Sequence, residues 1–482
     1  QMWLDGLYMG ARFYAEYAMV FREDSAFNDI ANQFIWMEKH ARDAKTGLLY
    51  HAWDESKQQK WANKETGTSP FFWARAMGWY ADALVDALDF FPVNHPKRKA
   101  LIDILNRLVT AVEKQQNKIT GLWYDIMNYS GPGKEKNYFE ASASSQFVYA
   151  IAKGVRKGYL PAAKLTIAKK GYDGIVKKFI KVENGQTNLH GTVKVSGLGG
   201  SPYRDGSFEY YMSEPVIVND PKGVGAFLLA GSEMEKLPTM SVGKNKTVLL
   251  DRYFNSEKRK DPSGTLDYWH YVWNERSHPG FYTLGSVFEK HGAKLSSLDV
   301  APTAANLSKA SVYFILDPEH IRDNPRPNFV AAKDVKAISD WVKAGGTLFL
   351  MANDSNNCDL KHFNLLSEAF GIKFTDKSLN MVKNDTYVQG EVLPGANNPV
   401  FKTTQKMFLK EVSALEIKAP AKSLVTKDGD IIIAVANAGK GRVIAVGDPW
   451  LYNEYVDGRK LPAEYENYKA AEDLAKWLLG TK

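Results

Sequence analysis

The stretch that decides the fold is Gln1–Phe21, QMWLDGLYMGARFYAEYAMVF. On a helix of about 3.6 residues per turn, its apolar side chains point to nearly every face; they are Trp3, Leu4, Leu7, Tyr8, Met9, Phe13, Tyr14, Tyr17, Val20 and Phe21. A helix that is apolar all round is covered by other elements on several sides. We therefore expect this helix to lie inside a layered helical domain.

Asp5 lies in this apolar helix, close to Trp3. Apolar surroundings disfavour an ionised carboxylate, so the pKa of Asp5 should rise. A carboxylic acid that keeps its proton near neutral pH can donate it to a substrate. The alternative is an aspartate in the first helical turn that only satisfies backbone N–H groups.

Composition places the chain among globular proteins. Its 482 residues are enough for two or three domains, with 44% hydrophobic and 24% charged residues. The net charge of +7 is spread along the chain, which argues against nucleic-acid binding but suits an anionic substrate. The single cysteine, Cys358, excludes an intramolecular disulfide, and neither a metal-ligand spacing nor a membrane-spanning segment is visible.

Two kinds of helix alternate in the first half of the chain. Residues 3–20 and 70–90 are apolar all round, whereas residues 25–42 and 97–116 carry one apolar stripe. Three more helices are predicted, near 138–157, 161–182 and 221–236. Alternation of fully buried and half-exposed helices is what two concentric rings of helices require.

The loops of this half also recur. Thr46–Tyr50 and Thr120–Tyr124 share the pattern T-G-L-x-Y, and the glycine-rich loop Asn188–Ser201 follows one helical unit later. Repeated helix pairs with equivalent loops favour a toroid whose loops gather at one end. The alternative is coincidental turn chemistry, because Thr-Gly is common after helices.

The pattern changes after a predicted linker at residues 237–245, which separates a helical domain, 1–236, from a second domain, 246–482. Short β-branched strands are predicted at 246–250, 311–316, 347–351, 431–436 and 442–446, with helices near 333–344, 359–370 and 464–479. This alternation predicts a mostly parallel, doubly wound α/β sheet of the flavodoxin-like kind.

Four residues of the first domain suggest a site for an acidic sugar. Arg75 and Trp79 share one face of the buried helix 70–90, and a buried arginine needs an anionic partner, which is either a ligand or an internal carboxylate. His51 ends the first T-G-L-x-Y loop, at the expected rim of the toroid. With Asp5, these residues offer a proton donor, a polar contact, a carboxylate clamp and a stacking ring.

Four motifs resemble those of the unsaturated rhamnogalacturonyl hydrolases, glycoside hydrolase family 105: Trp3–Leu7 (WLDGL), Tyr50–Ser56 (YHAWDES), Trp73–Trp79 (WARAMGW) and Gly206–Tyr211 (GSFEYY). The resemblance covers residue 1 to about residue 236 and implies an (α/α)6 barrel. It implies that Asp5 is the catalytic acid. It also implies a set of residues that line the cleft or contact the substrate: Trp3, His51, Trp73, Arg75 and Trp79.

The resemblance implies an activity as well. The family removes a 4,5-unsaturated galacturonate from the non-reducing end of rhamnogalacturonan fragments of pectin, by protonating C4 and adding water at C5, without a metal or an organic cofactor. One aspartate can serve as acid and then as base. The alternatives are an unsaturated glucuronyl hydrolase acting on glycosaminoglycan fragments, and a non-catalytic carbohydrate-binding protein. The family's bacterial setting and the second domain favour the periplasm, with the cytoplasm as the alternative.

One departure from the family concerns the barrel itself. The family supplies a further cleft aspartate from barrel helices that precede the Trp3–Asp5 motif, and the chain contains only about half of the barrel helices. We expect that upstream residues have been lost, or that a partner is needed. In the chain as it stands, apolar inner helices should be exposed to water.

The second domain faintly resembles class I glutamine-amidotransferase-like α/β domains. Those enzymes carry a cysteine on a tight, glycine-flanked turn after a strand, whereas Cys358 lies between Asn357 and Asp359 without such glycines. We therefore expect a non-catalytic domain. Gly447–Trp450 and Tyr268–His270 either line a cleft at the strand ends or are simply packed.

Overall fold

The computed structural model describes residues 2–480. Gln1, Thr481 and Lys482, which the predicted domain boundaries include, lie outside the described residues. The chain divides into two units between Leu237 and Pro238.

The first unit is helical. Its helices are α1 (Leu4–Phe21), α2 (Ala26–Ala41), α3 (Ala74–Ala87), α4 (Arg98–Gln115), α5 (Ala141–Arg156), α6 (Leu165–Phe179), α7 (Phe208–Ser213) and α8 (Pro221–Lys236). The seven helices predicted from hydrophobic periodicity are all present. The short helix α7, capped by the Ser207 side chain, was not predicted, because six residues are too few to show a period.

These helices form two layers. Helices α1, α3, α5 and α8 pack side by side in one layer, while α2, α4 and α6 lie against them. All 14 residues of α3 are buried, as its all-round apolar pattern predicted. Helix α4 buries one stripe, from Leu101 to Val112, also as predicted. The alternating pattern therefore reports the layer in which each of these helices lies.

Helix α1 differs from the prediction that it is covered on several sides. It buries one face, formed by Leu4, Leu7, Ala11, Ala15 and Ala18. Its opposite face is in water, and Met9 and Phe13 are 65% and 73% exposed. None of the described residues covers this face of α1. The exposure to water that the sequence predicts for inner helices is therefore confirmed for α1.

Short antiparallel ribbons join the ends of the helices. Their strands are β1 (Met2–Trp3) with β2 (Ala52–Trp53), β3 (Phe72–Trp73) with β4 (Ile126–Met127), β5 (Ile180–Glu183) with β6 (Gln186–Leu189), and β7 (Thr192–Val193) with β8 (Val216–Ile217). Strands β1 and β3 lead directly into α1 and α3. The ribbons thus fix where these inner helices begin.

The second unit is built on a sheet. Its strands are β9 (Thr247–Asp251), β10 (Lys258–Lys260), β11 (Leu266–Tyr268), β12 (Lys294–Leu298), β13 (Val312–Leu316), β14 (Thr347–Met351), β15 (Ile372–Leu379), β16 (Glu391–Val392), β17 (Met407–Phe408), β18 (Val412–Ile417), β19 (Lys422–Lys427), β20 (Asp430–Ala438) and β21 (Gly441–Val446). Its helices are α9 (Tyr282–Lys290), α10 (Ala304–Leu307), α11 (Ala332–Lys343), α12 (Leu360–Ser367), α13 (Asn453–Val456) and α14 (Asn467–Leu478). All five predicted strands and all three predicted helices are present.

The sheet is only half parallel. Its order is β12-β9-β13-β14-β21-β20-β18-β15, with β19 paired to β20. The first five strands in this order run parallel to one another, and the remaining pairs are antiparallel. The expectation of a mostly parallel sheet is corrected accordingly. Asp428 and Gly429 both have positive φ, which closes a tight hairpin between β19 and β20 and forces the antiparallel direction. Helices α9 and α14 cover one face of the sheet, and α11 and α12 cover the other.

Candidate active site

The three inner helices α1, α3 and α5 begin in the same way. The residue before each helix has an extended backbone, and the first helical N–H donates a hydrogen bond to a loop carbonyl. The three bonds run from Leu4 to His51 (3.1 Å), from Ala74 to Asp125 (2.8 Å) and from Ala141 to Gly191 (2.9 Å). This repeated junction supports the toroid reading of the loops over coincidental turn chemistry.

The junction places the second residue of each helix at an equivalent position, and these residues are Asp5, Arg75 and Ser142. Arg75 Nε donates to Ser142 Oγ at 2.6 Å, so two of these positions meet directly. Helix N-termini carry a partial positive charge from their unpaired N–H groups. Side chains at the start of inner helices therefore lie in an environment that favours an anionic ligand.

Asp5 lies next to His51. Its Oδ2 is 3.1 Å from His51 Nε2, although the ring does not aim an N–H along the line to that oxygen. The Asp5 side chain is 19% exposed, and His51 is fully buried. Catalytic contacts are often poorly aligned without substrate and tighten when it binds. Asp5 is thus neither in bulk solvent nor turned away from the histidine.

Aromatic rings enclose His51. The Trp3 ring meets it edge-on at 5.3 Å, and the Trp73 ring lies 4.6 Å away. On its other side, His51 Nδ1 is 2.8 Å from the hydroxyl of Tyr211 in α7. The structure therefore brings together four of the predicted site residues: Trp3, Asp5, His51 and Trp73.

Arg75 is buried in an internal ion pair. Its side chain is 1% exposed, and Nη2 lies 3.1 Å from Glu140 Oε1 and also donates to the carbonyl of Val193. Its guanidinium lies 5.4 Å from the Trp73 ring. Of the two partners that the sequence left open for Arg75, the structure shows the internal carboxylate. A direct clamp on a substrate carboxylate stays a prediction.

Asp125 shares Trp73 with this cluster. Its Oδ1 accepts a hydrogen bond from Trp73 Nε1 at 3.0 Å. Burial, and then the nearby charge of Glu140, raises the pKa of Asp125 to about 8. Near neutral pH this carboxyl group is therefore mostly protonated and contributes little charge to the site.

Trp79 lies one helical turn beyond Arg75, against Tyr8 of α1 at a ring distance of 4.2 Å. These two rings line a cavity of about 410 Å³ together with Asp82 and residues of α8. Burial, and then the neighbouring Asp86, raises the pKa of Asp82 well above its usual range. Trp79 thus contacts α1, the helix that carries Asp5. Its role as a stacking ring stays a prediction.

The sequence did not identify Tyr211 or Asp125 as individual site residues. Tyr211 lies in the motif Gly206–Tyr211, but its partner His51 is 160 residues away, and such pairing leaves no local signal. Asp125 did leave one. It follows the second T-G-L-x-Y loop as His51 follows the first, and both side chains reach Trp73.

Within residues 2–480 there is no cluster of three or more His, Cys, Asp or Glu side chains suited to a metal ion. Over the same residues, no helix has the length and hydropathy to cross a lipid bilayer.

Cys358 and Gly447–Trp450 of the second unit are packed, whereas Tyr268–His270 is half-buried, and its role at a cleft stays a prediction. Cys358 is buried, and burial, then the nearby Asp317, raises the pKa of its thiol well above the usual range. Trp450 is fully buried, and a side chain at Gly447 would clash with the Ser413 carbonyl, so Gly447–Trp450 forms part of the core. The packed reading of this segment is the one the structure shows.

The first unit thus combines layered helices with an aspartate that lies beside a histidine and tryptophan rings. Residues 1–238 match the model of Glycosyl Hydrolase Family 88, and residues 274–457 match a domain of unknown function (DUF4350). Through its first unit, the chain belongs to glycosyl hydrolase family 88. The resemblance drawn from the motifs is thereby confirmed, whereas the amidotransferase likeness of the second unit stays a prediction.

Three proteins illustrate what this chain is similar to. A 24.9 kDa protein in the picA locus of Rhizobium radiobacter is 37% identical over 232 residues, which is 47% of this chain and 97% of that protein. The unsaturated rhamnogalacturonyl hydrolase YesR of Bacillus subtilis is 30% identical over 31% of this chain and 40% of that enzyme. The structure of a family 105 glycoside hydrolase from C. acetobutylicum has 53% identity and a TM-score of 0.47, over 48% of this chain and 65% of that one.

Proposed function

We propose that the chain hydrolyses oligosaccharides that end in a 4,5-unsaturated galacturonate linked to rhamnose, the products of pectin lyases. One observation carries the proposal, namely the 3.1 Å contact of Asp5 Oδ2 with His51 Nε2 at the start of an inner helix. It is supported by the Bacillus relative, an unsaturated rhamnogalacturonyl hydrolase by name. The positive end of α1 and the +7 net charge suit an acidic sugar.

In the proposed reaction, the protonated carboxyl of Asp5 transfers its proton to C4 of the sugar's enol-ether double bond. The positive charge that develops at C5 is met by water, whose oxygen bonds to C5 while its proton passes to the Asp5 carboxylate. The resulting hemiketal opens to a ketone at C5 and leaves C1 as a hemiacetal. This hemiacetal collapses to an aldehyde, which breaks the bond from C1 to the next sugar and passes the hydroxyl proton to the sugar that leaves. Asp5 ends with the proton it began with, so a second carboxylate is not needed for proton balance.

The remaining residues have supporting roles in this proposal. His51 holds the Asp5 carboxyl in place, and Trp3 and Trp73 form apolar walls around the pair. Arg75, paired with Glu140, supports the Trp73 ring from behind, and Trp79 stacks on the sugar chain. No step requires a metal or an organic cofactor.

The test is the loss of unsaturated-uronate absorbance from lyase-digested rhamnogalacturonan. We expect the parent chain to remove it and Asp5→Asn to be slower by about 10²–10⁴-fold, the range for loss of a general acid. Asp29→Asn is a matched control, because Asp29 also lies in the first turn of a helix but is bonded to Gln33 at the surface of α2. Equal activity of the parent and Asp5→Asn would contradict the proposal.

A panel of substrates tests which sugar the chain releases from the unsaturated uronate. Digests of rhamnogalacturonan and of glycosaminoglycans, offered at equal concentration, distinguish the rhamnogalacturonyl activity from an unsaturated glucuronyl hydrolase. We expect faster turnover of the pectin fragments.

A second candidate function is favoured by the exposed face of α1. An inner helix that faces water leaves the site less enclosed, and catalysis of this kind gains from the exclusion of water. The unit would then bind acidic sugars without hydrolysing them. Calorimetric binding of unsaturated uronates with no loss of absorbance would support this alternative over hydrolysis.

For the second unit we propose a non-catalytic role on a flavodoxin-like sheet. Counted over the parallel strands alone, the order β12-β9-β13-β14-β21 is 2-1-3-4-5, which supports this arrangement. The buried thiol of Cys358 argues against nucleophilic catalysis there. Periplasmic location also stays a proposal, for which fractionation of the producing cells is the test.

A further inference from the structure

The contact between His51 and Tyr211 raises the question of which ring nitrogen carries the proton. His51 Nδ1 and the Tyr211 hydroxyl oxygen are 2.8 Å apart, and both residues are fully buried. A neutral imidazole has one donor and one acceptor nitrogen, and the partner of one nitrogen decides the state of the other. Tyr211 can therefore select what His51 presents to Asp5.

The surroundings of Tyr211 keep its hydroxyl protonated and so able to donate. Burial, and then the charge that Asp125 carries once it is ionised, raises the pKa of Tyr211 well above its usual range, so a phenolate is not formed near neutral pH. The centre of the Tyr211 ring lies 6.2 Å from that of Trp73. Tyr211 belongs to helix α7, whose first turn is capped by Ser207. The hydroxyl therefore has a fixed position opposite Nδ1.

We infer that Tyr211 is a positioning residue that donates its O–H to His51 Nδ1 and so fixes the proton of His51 on Nε2, the ring nitrogen that lies 3.1 Å from Asp5 Oδ2. The inference rests on the proposed role of Asp5 as the acid. A protonated Nε2 cannot accept a hydrogen bond from Oδ2, so the acidic proton of Asp5 is placed on Oδ1. Oδ2 is buried while the side chain as a whole is 19% exposed, which leaves Oδ1 as the oxygen that faces the cleft.

The first test reads the tautomer directly and uses no substrate. In ¹⁵N spectra of histidine-labelled protein near pH 8, His51 is assigned by its absence from the spectrum of His51→Gln. We expect an unprotonated, imine-type Nδ1 and a protonated, pyrrole-type Nε2. A pyrrole-type Nδ1 in the parent chain overturns the inference, whatever the variants do, and leaves the proposed function untouched.

The second test removes the hydroxyl alone. Tyr211→Phe should mix the two tautomers of His51 in the same spectra, and should lower kcat about tenfold with KM unchanged, the effect of one ordinary hydrogen bond. Tyr80→Phe is the matched control, because Tyr80 is equally buried but donates to the Phe34 carbonyl. An unchanged His51 tautomer in Tyr211→Phe overturns the inference, as does an equal kcat loss in both variants.

Discussion

Asp125 shows how one buried side chain makes stability depend on pH. Its pKa is raised to about 8, chiefly by burial, while an aspartate in the unfolded chain ionises near pH 4. Between these values the unfolded chain has lost the proton that the folded chain keeps. Stability therefore falls as pH rises through this window.

The prediction at this position concerns Asp125→Asn, which keeps the shape but cannot ionise. We expect the free energy of unfolding of the variant, relative to the parent, to increase from pH 5 to pH 8 by a few kcal/mol, about 1.4 kcal/mol for each unit of pKa shift that the window covers. Urea unfolding at the two pH values measures it. Asp103→Asn, on the surface of α4, should show no such trend. A parallel pH dependence of parent and Asp125→Asn would contradict the assigned shift.

The sequence predicted some site residues and not others, for a physical reason. Asp5 and His51 stand out locally, one as an acid in an apolar helix and the other as the end of a recurring loop. The ion pair of Arg75 with Glu140 and the contact of Tyr211 with His51 depend on chain segments brought together only by folding. A buried arginine predicts that a partner exists, but not which one.

Glycines distinguish the covered helix α3 from the open face of α1. A Cβ atom at Gly78 in α3 would lie 2.3 Å from the Oε1 atom and 2.8 Å from the Cβ atom of Gln146 in α5, so α3 and α5 touch at this point. A Cβ atom at Gly10 in α1 would meet nothing within 4 Å. The same substitution should therefore have opposite signs in the two helices.

We expect Gly78→Ala to destabilise the first unit by about 1–3 kcal/mol through overpacking. Gly10→Ala, its matched control, should stabilise that unit by about 0.5–1 kcal/mol, because alanine loses less backbone freedom in a helix. Chemical denaturation monitored by far-UV circular dichroism measures both. A loss of stability in Gly10→Ala would mean that this face of α1 is covered.

Cys358, after strand β14, provides a test of the second unit's chemistry. Since the thiolate is the reactive form and the buried thiol has a raised pKa, we expect almost no reaction with a disulfide reagent in the native chain. Unfolding should release one reactive thiol, the only one in the sequence. Rapid labelling of the native protein would instead support a nucleophilic role.

The elements were predictable to the extent that they repeat a period. The helices of the first unit alternate between all-round and one-sided apolar patterns, and these patterns mark their layers. Of the antiparallel strands, β20 was predicted and β15, β18 and β19 were missed; β15 has charged residues at several positions, and Ser413 and Glu416 interrupt the apolar residues of β18. The Asp428-Gly429 turn was the one strong local signal for the antiparallel half of the sheet.

At the scale of the whole molecule, each unit has its own hydrophobic core. We therefore expect two unfolding transitions in calorimetry rather than one. Glu140→Ala should move only the transition of the first unit, because it leaves the buried Arg75 unpaired, at a cost of about 3–5 kcal/mol. Asp103→Ala, which breaks a surface pair with Lys99, is the control and should move neither. A single transition, or a shift of both, would contradict independent units.

The β1–β2 ribbon has a consequence for engineering. Met2 pairs with Trp53 and Trp3 with Ala52, so the register of two short strands, rather than the length of any side chain, sets the spacing of Asp5 and His51. Substrate preference could be altered by grafting the loop of a related enzyme in place of residues 46–56. Such a graft should retain activity only when Met2–Trp3 is replaced at the same time by the strand that pairs with the new loop in the related enzyme. Without the matching strand, a slip of one residue would reverse which side of the ribbon each side chain faces.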